Sequence, residues 1–327
     1  MTISNFARPL RGVVCPLITP LKTIDTLDSP GLEKLIEHVI AGGVSAIFLL
    51  GTSGEGPSLS YRLRFELIER ACAAVRGRIP VLVGITDTAY VESLRVAETA
   101  AKAGADAVVV APPYYLLYTQ LDLIHYIEQL SQSVSLPVFL YNFPGLTKIP
   151  YSLETVKRAS EIPQVIGLKD SSGDLSYLAA VVNTARHRKD FTVLIGPEEK
   201  FLDAMRLGVH GGVCGGTNVN PETLVGLYRA ASEGRWDCAA IFQEQVAEMS
   251  RLLYSVGDPG SSYLRGIKCA AAQLGLCSGV LAPPLQPFSE TERLKIEKRI
   301  ALLEASGLEL RKAHAPGISG FATIKEQ

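Results

Sequence analysis

The sequence predicts an α/β fold: a TIM (β/α)8 barrel with a small C-terminal helical extension. Three observations predict it. Eight short apolar, β-branched runs recur after Arg11. Longer segments of helical period separate them. Most of the runs are apolar throughout rather than alternating, as parallel strands covered on both faces are.

The runs are Val13–Leu17, Val44–Leu50, Val81–Ile85, Ala107–Ala111, Val138–Phe143, Val165–Lys169, Val193–Ile195 and Gly211–Gly215. Between the first two, Leu32, Leu35, Ile36, Val39 and Ile40 fall at helix spacing, and Gly42-Gly43 supplies a stop. Leu63, Leu67, Ala71, Ala74 and Val75 repeat the pattern up to Gly77. Val91 to Lys102, closed by Gly104, and Leu121 to Val134 continue it. So do Leu153 to Ser160, Tyr177 to Ala185, and Phe201 to Leu207, the last stopped by Gly208. Eight β–α units in register favour a closed barrel over an open doubly wound sheet. The first glycine-rich segment does not read G-x-G-x-x-G, which weakens a dinucleotide-binding reading.

From about Pro221 the strands stop. Thr223 to Ala231, Cys238 to Leu253, Ser262 to Leu274 and Glu290 to Ser306 are helical in pattern, with a proline-rich loop at Gly279 to Phe288. We expect residues 1–231 to form the barrel and carry the site, 232–310 the helical extension, and 311–327 a tail or interface arm.

Composition narrows the setting. Hydrophobic residues make up 47% of the 327 and charged residues 20%, which suits a globular enzyme with a large core. A net charge of −1 gives no argument for nucleic acid or an acidic membrane surface. No apolar run is long enough to span a bilayer, and Met1 to Arg11 lacks a signal-peptide core. Six scattered cysteines and five histidines show no zinc-site spacing, so no metal is expected. A reduced, cytoplasmic setting follows as the expectation.

Active sites of such barrels lie at the C-terminal ends of the strands. The sixth run ends in Lys169, followed by Asp170, Ser171 and Ser172. Strand alternation puts Lys169 on one face with Gly167 and Val165, and Ile166 with Leu168 on the other. Taken alone, such a lysine most often ends a strand and reaches solvent. Desolvated, it is a nucleophilic amine suited to Schiff-base chemistry. The second run ends in Gly51-Thr52-Ser53-Gly54-Glu55, a turn whose hydroxyls and N–H groups suit an anion. The fourth ends in Tyr114-Tyr115 after two prolines, and the fifth in Tyr141-Asn142-Phe143-Pro144. The seventh ends in Glu198-Glu199, which suit either a solvated helix start or substrate hydroxyls. The eighth ends in Gly215-Gly216, a turn that permits close approach. A lysine nucleophile, a phenol and a hydroxyl-rich anion site fit imine chemistry on a 2-oxo acid. A barrel gripping a phosphorylated substrate at Gly215-Gly216 without an imine is the competing enzyme reading. A binding protein that kept only the fold is a third, disfavoured by intact Lys169 and Tyr141.

From about Gly12 to Ala305 the chain resembles the pyruvate-dependent class I aldolases, the family of dihydrodipicolinate synthase and N-acetylneuraminate lyase. Three motifs carry the resemblance: G-T-S-G-E at Gly51–Glu55, Y-N-x-P at Tyr141–Pro144, and G-x-K-D-S-S at Gly167–Ser172. It implies that Lys169 forms the Schiff base and Tyr141 shuttles protons. It implies that Thr52 and Ser53, with Gly51, hold the pyruvate carboxylate and link Tyr141 into a relay. Tyr115 matches a tyrosine that completes this relay from a neighbouring subunit, so a homotetramer, a dimer of dimers, is expected. No cofactor is implied.

One position departs from the synthase branch. An arginine usually lies five residues after the Y-N-x-P tyrosine there and binds the aldehyde's carboxylate; here Leu146 stands in its place. The N-acetylneuraminate lyases are more similar at that point, and they carry acidic residues where Glu198 and Glu199 lie. The resemblance therefore implies an aldolase that cleaves or forms a 2-keto-3-deoxy sugar acid from pyruvate and a hydroxylated aldehyde. The alternative is dihydrodipicolinate synthase (4-hydroxy-tetrahydrodipicolinate synthase) activity, which condenses pyruvate with aspartate semialdehyde.

Overall fold

The structure, a computed structural model, describes residues 7–310. The tail expected at 311–327 lies outside the described residues. The chain opens with β1 (Gly12–Pro16) and a small hairpin, β2 (Leu21–Thr23) and β3 (Thr26–Leu27). The alternation then runs α1 (Ser29–Ala41), β4 (Ala46–Leu49), α2 (Tyr61–Val75), β5 (Val81–Gly84), α3 (Tyr90–Ala103), β6 (Ala107–Val110) and α4 (Gln120–Ser133). It continues through β7 (Val138–Asn142), α5 (Pro144–Thr147), α6 (Leu153–Ser160), β8 (Val165–Asp170), α7 (Leu175–Ala185) and β9 (Thr192–Ile195). It ends with α8 (Phe201–Leu207), β10 (Gly211–Val213) and α9 (Pro221–Ser232). Three further helices follow: α10 (Trp236–Leu253), α11 (Ser262–Gln273) and α12 (Glu290–Ala305).

Eight strands close in the order β1-β10-β9-β8-β7-β6-β5-β4, all parallel, with β4 returning to β1. This is the (β/α)8 barrel the sequence predicts. The helices begin where a side chain can satisfy free backbone N–H groups. Asp28 accepts from Gly31 N, Ser60 from Leu63 N and Asn220 from Thr223 N. Thr119 and Asp122 form a full capping box at α4.

Strand boundaries shift where turn geometry overrides apolarity. Val44 and Ser45 precede β4, and Cys214 and Gly215 lie beyond β10 because residues Gly215–Asn218 wind into a 3-10 turn. The β2–β3 hairpin was not expected, since strands of three and two residues carry no readable period.

The barrel separates two cores. An inner cluster fills the barrel with Val14, Ala46, Phe48, Leu82, Val109, Phe139 and Ile166 among others. A larger outer cluster packs the remaining strand side chains against the helices. The expected alternation along β8 fails at its start. Val138 pairs with Val165 but Phe139 pairs with Gly167, so Ile166 is an extra residue in β8. Ile166 therefore joins the inner cluster, while Val165 and Leu168 join the outer one. Gly167 has to lack a side chain, because a Cβ there would lie 2.4 Å from Phe139 Cε1. After this bulge the register is regular, and Lys169 sits opposite Tyr141.

The C-terminal helices are fastened to the barrel mouth. Lys268 of α11 forms a buried ion pair with Glu55, whose other oxygen accepts from Ala282 N at 2.7 Å. Glu55 itself has a left-handed backbone, as does Leu50 at the end of β4. Between these two bends the turn that carries Thr52 and Ser53 curls over the strand ends.

Candidate active site

Lys169 and Tyr141 are neighbours across β8 and β7, and both are buried at 7% exposure. The Lys169 Nζ lies 4.2 Å from the centroid of the Tyr141 ring and 5.2 Å from that of Phe48. Phe48 packs edge-on against Tyr141, with centroids 6.2 Å apart, so the amine is enclosed by aromatic faces. The Tyr141 hydroxyl lies 3.3 Å from Thr52 Oγ1. The strand end beyond Lys169 is held by its neighbour: Asp170 accepts from Asn142 Nδ2 at 2.7 Å and from Ser172 Oγ at 2.8 Å. Burial raises the Asp170 carboxyl above its usual range.

A cavity of about 250 Å³ opens beside Lys169. Its polar wall holds Thr52, Ser53, Ser171, Glu198, Tyr254 and Tyr263. Ser53 Oγ is 2.7 Å from the Tyr263 hydroxyl. Glu198 is buried and accepts from the Tyr254 hydroxyl at 2.7 Å and from Gly216 N at 2.8 Å. Burial, with the Glu199 carboxylate beside it, pushes the Glu198 carboxyl up to about 7. Glu199 also faces this cavity but is exposed, and it accepts from Ser250 Oγ.

A second cavity of about 220 Å³ lies on the other side of Thr52, Tyr141 and Phe143. It is walled by apolar side chains, among them Phe48, Leu50, Pro57, Tyr114 and Leu146. Neither cavity is lined by an arginine among the described residues.

The predicted residues thus divide into groups. Lys169, Tyr141, Thr52, Ser53, Glu198, Glu199 and Gly215 share the polar cavity. Gly51 and Leu146 line the apolar one, on the short helix α5 in the case of Leu146. Gly216 is buried behind Glu198, serving as its N–H donor. Tyr115 is 93% exposed, with a left-handed φ of 89°, and lines neither cavity. Sequence reasoning missed Tyr254 and Tyr263. They come from the C-terminal helices, far from any strand end, and no motif marked them.

The dihydrodipicolinate synthetase family model matches residues 9–303. The chain belongs to the dihydrodipicolinate synthetase family. It is accordingly a class I lyase of the pyruvate-aldolase type, and the family works on pyruvate and an aldehyde. It is 32% identical over 300 residues to the probable 2-dehydro-3-deoxy-D-pentonate aldolase YjhH of Escherichia coli K12, covering 91% of this chain and 97% of that one. It is 30% identical to the 4-hydroxy-tetrahydrodipicolinate synthase of Phenylobacterium zucineum, over 91% of this chain and 98% of that one. Among solved structures, the dihydrodipicolinate synthase of Bacteroides thetaiotaomicron is similar with a TM-score of 0.89 and 48% identity, over 91% of this chain and all of that one. YagE, an Escherichia coli K12 prophage protein of the same family solved with pyruvate, is similar with a TM-score of 0.85 and 30% identity, over 90% of this chain and 99% of that one.

Proposed function

We propose that Lys169 forms an imine with pyruvate and that the enzyme joins it to, or releases it from, a hydroxylated aldehyde as a 2-keto-3-deoxy sugar acid. The observation that carries the reading is the enclosed Lys169 amine over the Tyr141 ring, with the Tyr141 hydroxyl directed to Thr52.

In this reading the amine adds to the pyruvate ketone and water leaves, giving the imine. Loss of a C3 proton gives the enamine, whose C3 attacks the aldehyde carbonyl. The new alkoxide takes a proton, and water then hydrolyses the imine to free the product and Lys169. Cleavage runs the same steps backwards. Tyr141 carries protons to and from these centres with Thr52 as its next link, a role their hydroxyl contact supports. Ser53 and the N–H groups of the turn at Gly51–Ser53 take the carboxylate.

Three features support a sugar acid over aspartate semialdehyde. Leu146 offers no partner to a second carboxylate, and no arginine among the described residues lines either cavity. Burying that charge unpaired is costly. Glu198 and Glu199 line the polar cavity, and the exposed Glu199 can accept from substrate hydroxyls. The test is kcat/KM with pyruvate for glyceraldehyde and aspartate semialdehyde, in parent and Leu146→Arg. The parent should favour glyceraldehyde, and Leu146→Arg should shift preference toward the anionic aldehyde. A parent that favours aspartate semialdehyde sinks the sugar-acid reading and leaves the synthase reaction standing.

Tyr115 enters as an intersubunit residue. Its exposed ring, followed by exposed Leu116 and Leu117, suits a subunit contact, and the apolar cavity beside Thr52 suits a ring from a second copy. A dimer would be the smallest active unit, within a homotetramer. Activity should fall with mass on dilution; a fully active monomer excludes this role.

A further inference from the structure

The wall of the polar cavity opposite Tyr141 is built by the C-terminal helices, and the pyruvate chemistry above gives it no task. Tyr263 projects from α11, 210 positions along the chain from Ser53, and their hydroxyls meet at 2.7 Å. Several independent features hold the Tyr263 hydroxyl there. Its ring packs edge-on against Tyr254, with centroids 4.8 Å apart and planes at 78°. Tyr254 is in turn fixed by its hydrogen bond to Glu198, which is fixed by Gly216 N. Lys268, one turn further along α11, anchors that helix to Glu55 in the turn that bears Ser53. Space for the hydroxyl is cleared at Gly215, where a Cβ would lie 1.9 Å from the Tyr263 oxygen.

We propose that Tyr263 is a positioning residue for the 2-oxo acid's carboxylate: it donates its hydroxyl proton to Ser53 Oγ and so turns the Ser53 proton toward the anion. The direction follows from chemistry. A phenol is a far better donor than an alcohol, and a serine oxygen that accepts one hydrogen bond still has its own proton to give. Burial also raises the Tyr263 hydroxyl above the ordinary phenol range, so it keeps the proton it donates. The effect is to preset the serine rotor before the ligand arrives. Tyr263 need not touch the substrate, and the C–C bond chemistry remains with Lys169 and Tyr141. The inference rests on the pyruvate reading above.

The test uses the full-length enzyme and pyruvate itself. The pyruvate concentration that gives half-maximal borohydride trapping is measured in parent, Tyr263→Phe, Ser53→Ala and the double variant, together with kcat and melting temperature. Tyr263→Phe keeps the ring and its contact with Tyr254. It should raise half-saturating pyruvate roughly 10-fold, about the worth of the Ser53 hydrogen bond to the carboxylate that Tyr263 presets, with a much smaller change in kcat. In the Ser53→Ala background it should add far less than its own loss, because its route to the anion through Ser53 has gone. A half-saturation within about twofold of the parent overturns the inference and leaves the imine reading intact. So does a double variant whose loss is the product of the two singles. A folded parent that pyruvate never labels overturns both.

Discussion

The hydroxyl of Tyr141 lies 3.3 Å from Thr52 Oγ1, although 89 residues separate them in sequence. Tyr141 ends β7 and Thr52 follows β4, and barrel closure alone brings the two strand ends to one mouth. The Lys169 Nζ lies 4.2 Å from the centroid of the same Tyr141 ring. In the proposed mechanism Tyr141 is the proton carrier, and its contact with Thr52 supports that role.

Tyr141→Phe should therefore fold normally and lose turnover. Removing a general acid–base group typically costs roughly 10²–10⁴-fold in rate. The phenylalanine ring keeps the packing against Phe48 and Phe143, so melting should change little. Steady-state kcat checks this, and a value within about threefold of the parent would remove Tyr141 from the proton path.

Much of this arrangement was legible in the sequence, for a physical reason. Strands buried on both faces read as apolar runs, so the barrel and the residues at its strand ends could be placed from one dimension. Lys169, Tyr141, Thr52 and Ser53 all sit at such ends. What stayed hidden depends on three-dimensional closure or on local backbone. The bulge at Ile166 reverses the expected facing of Val165 and Ile166 without any sequence sign. Helix α5 places Leu146 in a cavity other than that of Glu198 and Glu199, whereas the family resemblance implies that all three face the aldehyde. Tyr254 and Tyr263 reach the site only because the last helices fold back over it. Glu198, read as facing substrate, already has Tyr254 and Gly216 as partners.

Glu198 should make stability depend on pH. Burial raises its carboxyl from the ordinary range to about 7, so the folded state holds that proton more tightly than the unfolded chain does. Its contribution is fully present below about pH 4 and is lost as pH rises through 7. The loss is on the order of 3 kcal/mol. Glu198→Gln cannot ionise, and its amide can still serve both neighbours if the Tyr254 oxygen accepts. Its melting temperature relative to the parent should rise steadily from pH 5 to pH 8. A difference that stays constant over that range would show that Glu198 does not titrate there.

The Glu55–Lys268 pair should be worth more to the fold than any of the exposed ion pairs. Both side chains are almost wholly buried, and burial favours loss of the lysine's proton while Glu55 favours keeping it. Lys268→Met leaves the Glu55 carboxylate without its cation. Breaking a buried pair in this way costs about 3–5 kcal/mol. Denaturant unfolding measures it, and a loss below about 1 kcal/mol, the usual worth of an exposed pair, would contradict the account.

The central claim is that Lys169 is the amine that captures pyruvate. The described residues contain two buried lysines, Lys169 and Lys268, and they have different surroundings. Lys268 is engaged by Glu55, whereas Lys169 faces the polar cavity. Borohydride reduction in the presence of pyruvate, followed by peptide mass mapping, separates them. We predict a pyruvyl-derived adduct on the peptide that carries Lys169, absent from Lys169→Ala. A folded enzyme with no adduct, or with the adduct on Lys268, would contradict the mechanism.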